Sequence, residues 1–576
     1  MILTFGELKK MAREEVIGAR VRIALLGDSA TQLLATAIRG TLVQRGLAAD
    51  IFEADYNQVE LQLMDPSSEL HSFDPEVIML FQSSHKLLLE HARRPFEKKS
   101  ELAEERLAFV ASAAGDEWMR GRKLIVFNYP EIDDTVFGSY ADKVRESFTW
   151  QIRKLNLGLM ELAAGNPDLF ICDIAALQAK FGRDRMFPAN LYVSTEMVLS
   201  LDVLPYVASK AVDIVCALKG AFRKCLILDL DNTLWGGVIG DDGLEGIQLG
   251  HGLGIGKAFT EFQLWVKKLK ERGIIICVVS KNDDAVAREP FEKHPDMVLS
   301  LDDIAVFMAN WETKVDNIAA IQKVLNIGFD SMVFLDDNPF ERNIVREGIP
   351  GITVPELPED PADYLEYLYS LNIFETASFS RTDADRTRMY REEASRISFS
   401  RSFANEDDYL ASLDMVSEVS GFNRFNTPRV AQLTQRSNQF NLRTIRYTEG
   451  DIAALASDPS YICIALTLED RFGDNGLVAV AIMRPEDRES LFIDTWLMSC
   501  RVLKRGMEAF TLNSMVAAAR SAGYRKLIGE YIPTKKNGMV AGHYSALGFG
   551  PAGKDRYILD LDSFSPLPCH IERKEK

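Results

Sequence analysis

Asp229, Asp231, Asn232 and Thr233 follow directly on a short apolar run, Cys225 to Leu228. A buried strand that ends on two carboxylates sets them at a sheet edge, where open α/β folds bind ligands. Three further stretches carry residues of complementary type: Ser280-Lys281-Asn282-Asp283 after "IIICVV", Lys314 in "NWETKVDNI", and Asp336-Asp337-Asn338 after "SMVFL". Together they fit phosphoryl transfer. Asp229, Asp231, Asp336 and Asp337 offer the hard oxygen ligands that Mg²⁺ takes. With the phosphate charge neutralised, Asp229 can attack phosphorus and become an aspartyl phosphate. Asp231, two residues on, can serve as general acid and base at the leaving oxygen. Ser280 and Lys314 can bind the phosphoryl oxygens, with Thr233, Lys281 and Asn282 as further phosphate ligands.

The spacing bears on what such a site would accept. Only 51 positions separate Asp229 from Ser280, room for a loop and the helical stretch "GKAFTEFQLWVKKLKERG". From Lys314 to Asp336 there are 22. Neither gap holds a folded cap, so the site is expected to be open and to suit a phosphate carried on something large. The glycines of "WGGVIGDDG" and "GHGLGIGKAF" read as a small adjustable covering loop.

Stepping outward, strands alternating with helical stretches position these residues. A first block opens with "VRIALLGDSA" and continues through strand-like runs at Glu76–Gln82, Lys123–Pro130 and Leu169–Ile174. A second block carries the acidic strand ends. Both read as βαβ units around parallel sheets. A charged stretch, Ser380–Leu410, has the composition of a surface helix or linker. An α+β pattern follows, with strand-like "ICIALTLEDRFGDNGLVAVAIMR" and "LFIDTWLMSC" and a helix near Arg505. The expected fold class is multidomain α/β, with domains at 1–220, 221–375 and 412–576 and a linker helix at 376–411.

At 576 residues the chain exceeds one core. Its 84 acidic and 66 basic residues give a net charge of −18, against a nucleic-acid or anionic-membrane surface. The seven cysteines form no CxxC pair, which points away from a disulfide framework or zinc site and toward a reducing cytoplasm. Neither a signal peptide nor a membrane span is expected.

The ordered set Asp229-x-Asp231-x-Thr233, Ser280, Lys314, Asp336-Asp337 resembles the haloacid dehalogenase (HAD) phosphatase superfamily, here without a large cap. The longer string "DLDNTLWGGVIGDDG", with "LLGDSATQLLATAIRG", "QLTQRSNQFNLRTIRY", "EDRFGDNGLVAV" and "SCRVLKRGME", is similar to FkbH-like proteins along essentially the whole chain. That resemblance implies a glyceryl transferase/phosphatase that dephosphorylates 1,3-bisphosphoglycerate and loads the glyceryl group onto an acyl carrier protein thiol for polyketide assembly. Related members act in polysaccharide or lipid modification.

Gly27-Asp28-Ser29 resembles the first block of SGNH hydrolases, and Asn128 echoes their asparagine block. No histidine lies between His91 and His251 to serve as a late base, so an SGNH- or flavodoxin-like scaffold is the plainer expectation. The last block resembles the GNAT acyltransferase fold. Arg501, Arg505 and Gly506 stand where GNAT proteins bind the pyrophosphate of CoA, although Glu508 replaces the second glycine of that loop; a carrier's phosphopantetheine arm can use the same groove. Tyr544 takes the position of a frequent GNAT acid. Cys500, beside two cations and a helix start, is the candidate acylated thiol, with a buried core cysteine as the plainer reading. His543 is either its base or a surface histidine. Asn438 and Asn441 either read a polar acyl group or cap a helix. Two other functions fit the same features: a carrier-binding scaffold whose HAD site only holds phosphate, and a CoA-dependent acyltransferase.

Overall fold

A computed structural model of the protein describes residues 2–17, 20–55, 57–379, 386–400, 402–437, 439–534 and 536–574. The chain divides into two compact units, Met1–Lys219 and Gly220–Lys576. In the first, β1 (Arg20–Gly27), β2 (Ala48–Glu53), β3 (Val77–Phe81), β4 (Lys123–Phe127) and β5 (Leu169–Cys172) form one parallel sheet in the order β2-β1-β3-β4-β5. This is the flavodoxin-like order, in which the strand direction of travel reverses beside β1. Every residue of β3 is buried, as a central parallel strand covered on both faces must be.

The second unit begins with β6 (Cys225–Leu228), β7 (Ile275–Ser280), β8 (Val306–Ala309) and β9 (Met332–Leu335), parallel in the order β8-β7-β6-β9. Side chains of β6 alternate between two cores. Leu226 and Leu228 pack with Val278, Val333 and Leu335, whereas Cys225 and Ile227 pack with Ile318 and Phe334. The register pairs Leu228 with Leu335, so the next residues of the two strands, Asp229 and Asp336, emerge side by side. The segment between β6 and β7 holds two helices, Ile239–Gly246 and Gly256–Glu271, and that from Lys314 to β9 holds the helix Lys314–Leu325 and a short turn; neither holds a cap domain.

The rest of this unit is a mostly antiparallel sheet. Its strands are β10 (Met415–Ser417), β11 (Val419–Ser420), β12 (Ile462–Asp470), β13 (Gly473–Pro485), β14 (Ser490–Met498), β15 (Lys526–Glu530), β16 (Gly550–Pro551), β17 (Arg556–Asp560) and β18 (Ile571–Arg573). They run β16-β17-β15-β14-β13-β12-β10-β18, with β11 beside β12. The pairs β14/β15 and β10/β18 are parallel. Helices Thr427–Arg436 and Met507–Ser521 complete the α+β arrangement.

The helix Arg386–Ser400 departs from its expected role as an exposed linker. Tyr390 belongs to the core beneath the four-stranded sheet, and Arg391 pairs with Asp302 at 2.8 Å. Arg396 is fully buried and clasps Asp470 at the end of β12 with two bonds, 2.7 and 2.8 Å. A polar composition misled here because paired arginine and carboxylate can be buried together. The helix ties the four-stranded sheet to the nine-stranded one, so the expected middle and last domains share one unit. Among the described residues, no helix is long and apolar enough to cross a membrane.

Candidate phosphoryl-transfer site

Two helix caps deliver the charged groups to the ends of β6 and β9. Thr313 accepts a hydrogen bond from the Asp316 N–H at 3.1 Å and starts the helix Lys314–Leu325, placing Lys314 in its first turn. Asn338 accepts from the Phe340 N–H at 2.9 Å, and Pro339 opens the helix behind it, which ends the Asp336-Asp337 turn. Arg342, on that helix, donates to the carbonyls of Asp336 and Asp337 at 2.8 and 2.6 Å. It holds the turn without touching the carboxylates.

The Lys314 ammonium lies 3.0 Å from Asp229 Oδ2 and 2.5 Å from Asp336 Oδ2. Asp229, Asp336 and Asp337 each bring a carboxylate oxygen within 4.8 Å of the others. Burial pushes the Asp229 carboxyl up to about 7; Lys314 opposes this and Asp336 adds to it. Burial raises Asp337 too, again with Asp336 contributing. Burial works against the Lys314 charge, but Asp229 and Asp336 overcome it and hold its pKa above the ordinary lysine value. Three carboxylates around one ammonium leave a net charge near −2 when all ionise. That donor set fits a hard divalent cation, with Asp229, Asp336 and Asp337 as its ligands.

Asp231 stands apart from this cluster, contrary to its expected place among the metal ligands. Its Oδ1 accepts from Trp235 Nε1 and the Ile239 N–H, both at 3.0 Å, and its Oδ2 lies 3.4 Å from Asn282 Nδ2. These donors hold it beside the Asp229 turn as a separate acid. Thr233 and Lys281 also differ from their expected phosphate role. Thr233 is fully buried and its Oγ1 accepts from the Asp337 N–H at 3.1 Å, pinning the two acidic turns together. Lys281 pairs with Glu341 at 2.5 Å. Ser280 is buried at the end of β7. The glycine-rich loop is tied down: Gly236 pairs with Gln248, and the Val238 N–H donates to Asp242 at 2.7 Å.

Trp235, Arg342 and Glu341 were missed from sequence. Only Arg342 left a signal, as the first arginine after the Asp336-Asp337 pair.

The candidate residues of the last sheet are placed differently. Asn438 and the Cys500 side chain lie outside the described set. Arg505 is buried, bonded to Asp470 at 3.1 Å and to Glu393. Gly506 takes the left-handed φ of 81° that lets the chain enter the helix Met507–Ser521. Asn441 is fully buried; it accepts from the Thr444 N–H at 2.8 Å, as a turn residue does. Tyr544 is a core residue whose ring fills the space a Cβ at Gly529 would need, and burial raises its hydroxyl pKa. His543 meets Phe440 and Trp496 in edge-to-face contacts, and burial lowers it to about 4, so it stays neutral. The parallel pairing of β14 with β15 ends at Phe492 and Ile528. Beyond it, Phe440–Leu442 closes the gap, bonding to Trp496 and Met498 on one side and to Ile532 on the other. Arg501 is buried and lines a cavity with Ser499.

In the first unit, the Ser29 hydroxyl is buried with no hydrogen-bond partner among the described residues. Both Asp28 oxygens accept from the Ser83 N–H at 2.9 Å. Asn128 caps the turn after β5, accepting from the Ile174 and Ala175 N–H groups. None of these links joins Ser29 to a base.

Comparison with known proteins sets this geometry in a family. The family described as FkbH, N-terminal domain, matches residues 22–216. A crystal structure of the N-terminal part of the protein BF1531 from Bacteroides fragilis, containing a phosphatase domain and complexed with Mg, is 59% identical over 66% of this chain and 100% of that one, with a TM-score of 0.64. The ribosomal-protein-S18-alanine N-acetyltransferase of Escherichia coli is 15% identical over 25% of this chain and 91% of its own, TM-score 0.20. An N-acetyltransferase of Staphylococcus aureus Mu50 is 16% identical over 26% of this chain and 99% of its own, TM-score 0.21. The search of curated proteins finds no match. The identity to the whole crystallised N-terminal part of the Bacteroides protein, the matching N-terminal family and the acidic site between β6 and β9 together make this chain a member of the FkbH-like family.

Proposed function

We propose that the protein is a Mg²⁺-dependent HAD-type phosphatase that dephosphorylates a phosphorylated three-carbon acyl group and passes the acyl group to an acyl carrier protein thiol. The observation that carries the phosphatase half is the cluster of Asp229, Asp336 and Asp337 around Lys314. The Mg of the Bacteroides relative supports Mg²⁺ as the ion. Held by those three carboxylates, it would neutralise phosphate charge and favour the ionised form of Asp229. An Asp229 oxygen attacks phosphorus, the ester P–O bond breaks, and Asp231 supplies the proton to the leaving oxygen. Lys314, fixed between two carboxylates, stands ready for the phosphoryl oxygens. Water then attacks the aspartyl phosphate, Asp231 takes its proton, and inorganic phosphate leaves.

The absence of a cap supports a large substrate. Trp311, on the loop before Lys314, is 77% exposed, and Phe340, just after the acidic turn, is 66% exposed. Aromatic side chains left exposed on a free surface are of the type that protein interfaces bury at their cores. The transferase half rests on family membership and on the expectation for Cys500. The closed gap beside β14 gives no support to a CoA-dependent reading. Intact-protein mass spectrometry after mixing with Mg²⁺ and freshly generated 1,3-bisphosphoglycerate tests both halves. A glyceryl-sized gain that disappears in Cys500→Ala is the expected result. A gain that persists moves the acyl site elsewhere, and no gain with phosphatase activity intact rejects this donor.

A further inference from the structure

A cavity of about 290 Å³ lies at the carboxyl edge of the five-stranded sheet in the first unit. Three of its lining residues follow neighbouring strands: Asp28 comes after β1, Gln82 after β3 and Tyr129 beyond β4. The register pairs Gly27 with Phe81, so Asp28 and Gln82 leave the sheet side by side. The strand order reverses between β1 and β3, and such a switch point is where open α/β sheets take their ligands. The volume is near the lower limit for ligand pockets and suits a small molecule.

Asp28 and Gln82 each carry a polar group that the fold does not match. The only donor to the Asp28 carboxylate among the described residues is Ser83, whose N–H reaches both oxygens. No lysine or arginine among the described residues comes to salt-bridge distance of it. Each cation of the lining has carboxylates of its own. Arg106 pairs with Glu90 and lies 3.9 Å from Glu60, and Lys86 pairs with Glu196 at 2.6 Å. Burial pushes the Asp28 carboxyl up to about 6, and the bonds from Ser83 and the charges of Lys86 and Arg106 only moderate the rise. Gln82 is 9% exposed. Its Oε1 accepts from the Tyr129 hydroxyl at 3.0 Å, and burial raises the pKa of that phenol and keeps it a donor. The Gln82 Nε2 has no hydrogen-bond partner among the described residues. A buried amide N–H calls for an acceptor, as the carboxylate next to it calls for a donor.

That pairing restricts the ligand. A hydroxyl both donates and accepts, so two neighbouring hydroxyls satisfy Asp28 and Gln82 together. An ammonium only donates and leaves Gln82 unmatched. An anion only accepts, and it meets a lining with three carboxylates, Asp28, Glu60 and Glu90, against two cations. Val59 and Leu87 give the cavity an apolar side for a carbon skeleton. We propose that this cavity binds a neutral polyol of monosaccharide size, with Asp28 accepting from one hydroxyl and Gln82 donating to its neighbour. The site lies within the first unit, shares no residue with the phosphatase cluster and goes beyond the function proposed above.

Calorimetric titration of the full chain tests this with three neutral probes, glycerol, myo-inositol and methyl β-D-glucopyranoside, and two charged ones, ethanolamine and glucuronate. The expected result is saturable binding of at least one neutral probe, above any binding of the charged pair. Asp28→Asn is expected to weaken it about tenfold or more, as loss of a charged acceptor does, and Gln82→Met several-fold. Without ligand, Asp28→Asn is expected to melt no lower than the native chain, because it removes a carboxylate that no cation matches. That measurement separates lost binding from lost folding. Absence of saturable binding by all three neutral probes overturns the proposal. Preferred binding of ethanolamine, indifferent to Gln82→Met, overturns it in favour of an amine site, and preferred binding of glucuronate overturns the neutral assignment. Polyol binding that ignores both variants places the ligand elsewhere and overturns the site.

Discussion

The acidic cluster beyond β6 and β9 and the arginine cluster around Asp470 use the same side-chain types at similar burial, yet their charge balance differs. Around Asp470, Arg388, Arg396 and Arg505 meet Asp470, Glu392 and Glu393, three against three. Around Lys314, three carboxylates meet one ammonium. A balanced buried cluster is complete in the folded chain and acts as a fastener. An unbalanced one is complete only when something positive, or something bearing phosphate together with a cation, arrives. Sequence shows both as runs of charged residues; the difference emerges only when partners distant in the chain are brought together.

The sharpest way to break this contrast is to remove one acid from each cluster. Asp229→Asn is expected to lower Mg²⁺-dependent turnover of p-nitrophenyl phosphate by about a thousandfold or more, because no other carboxylate emerges beside Asp336 to attack phosphorus. In chelator its melting temperature should not fall, since the change relieves crowding among three like charges. Asp470→Asn should behave in the opposite way. It leaves Arg396 and Arg505 under-compensated in a buried place, at a cost of roughly 3–5 kcal/mol. Its turnover per folded molecule should stay near the native value. Equal losses of melting temperature in the two variants would refute the division between site and fastener. A companion titration sharpens it: Mg²⁺ should raise the melting temperature of the native chain and of Asp470→Asn by mass action, and fail to do so in Asp336→Asn.

What could be read from sequence follows the same division. Asp229, Lys314 and Asp336 were legible because each signal is local: an apolar strand followed by an acid, or a Thr or Asn cap beginning a helix. Thr233, Lys281 and Arg505 were misjudged because their partners lie far along the chain. Thr233 binds a backbone N–H 104 residues away, Lys281 a carboxylate 60 residues away, and Arg505 meets Glu393 at a separation of 112. Neither composition nor spacing carries that information. Tyr544 failed for a related reason: its polar tip invited a chemical role, while the missing Cβ of Gly529, on a neighbouring strand, makes room for its ring. The first unit was read well as a parallel α/β block, because four apolar runs separated by helical stretches constrain topology strongly, although β2, only half-buried, was not among them.

A smaller effect tests the neutral core of the last sheet. His543 is held below its ordinary pKa, at about 4, because burial disfavours its charged form. The unfolded chain therefore binds more protons than the folded one between about pH 6.5 and 4. Stability is full above pH 6.5 and is lost as pH falls through that window, by at most about 3 kcal/mol. His543→Gln should flatten this part of the pH–stability curve. An unchanged slope would mean that other groups carry it.

The smallest predicted effect bears on how Asp231 is aimed. Trp235 is fully buried, and its indole N–H is one of two donors at 3.0 Å to Asp231 Oδ1. Trp235→Phe keeps most of the packing and removes that donor, leaving the Ile239 N–H. One hydrogen bond to a charged group is worth about 1.5–3 kcal/mol at most, so a loss of about tenfold in turnover is expected. The size should depend on the leaving group. Alkyl phosphates need a proton delivered as the ester bond breaks, and a loosely held Asp231 delivers it poorly. p-Nitrophenolate leaves without one and should be nearly unaffected. A loss shared equally by both substrates would instead mean that Trp235 supports the Asp229 turn as a whole, because damage to the nucleophile does not discriminate between leaving groups. The ratio of the two rates in Trp235→Phe against the native chain thus distinguishes a residue that aims the proton donor from one that merely fills the core.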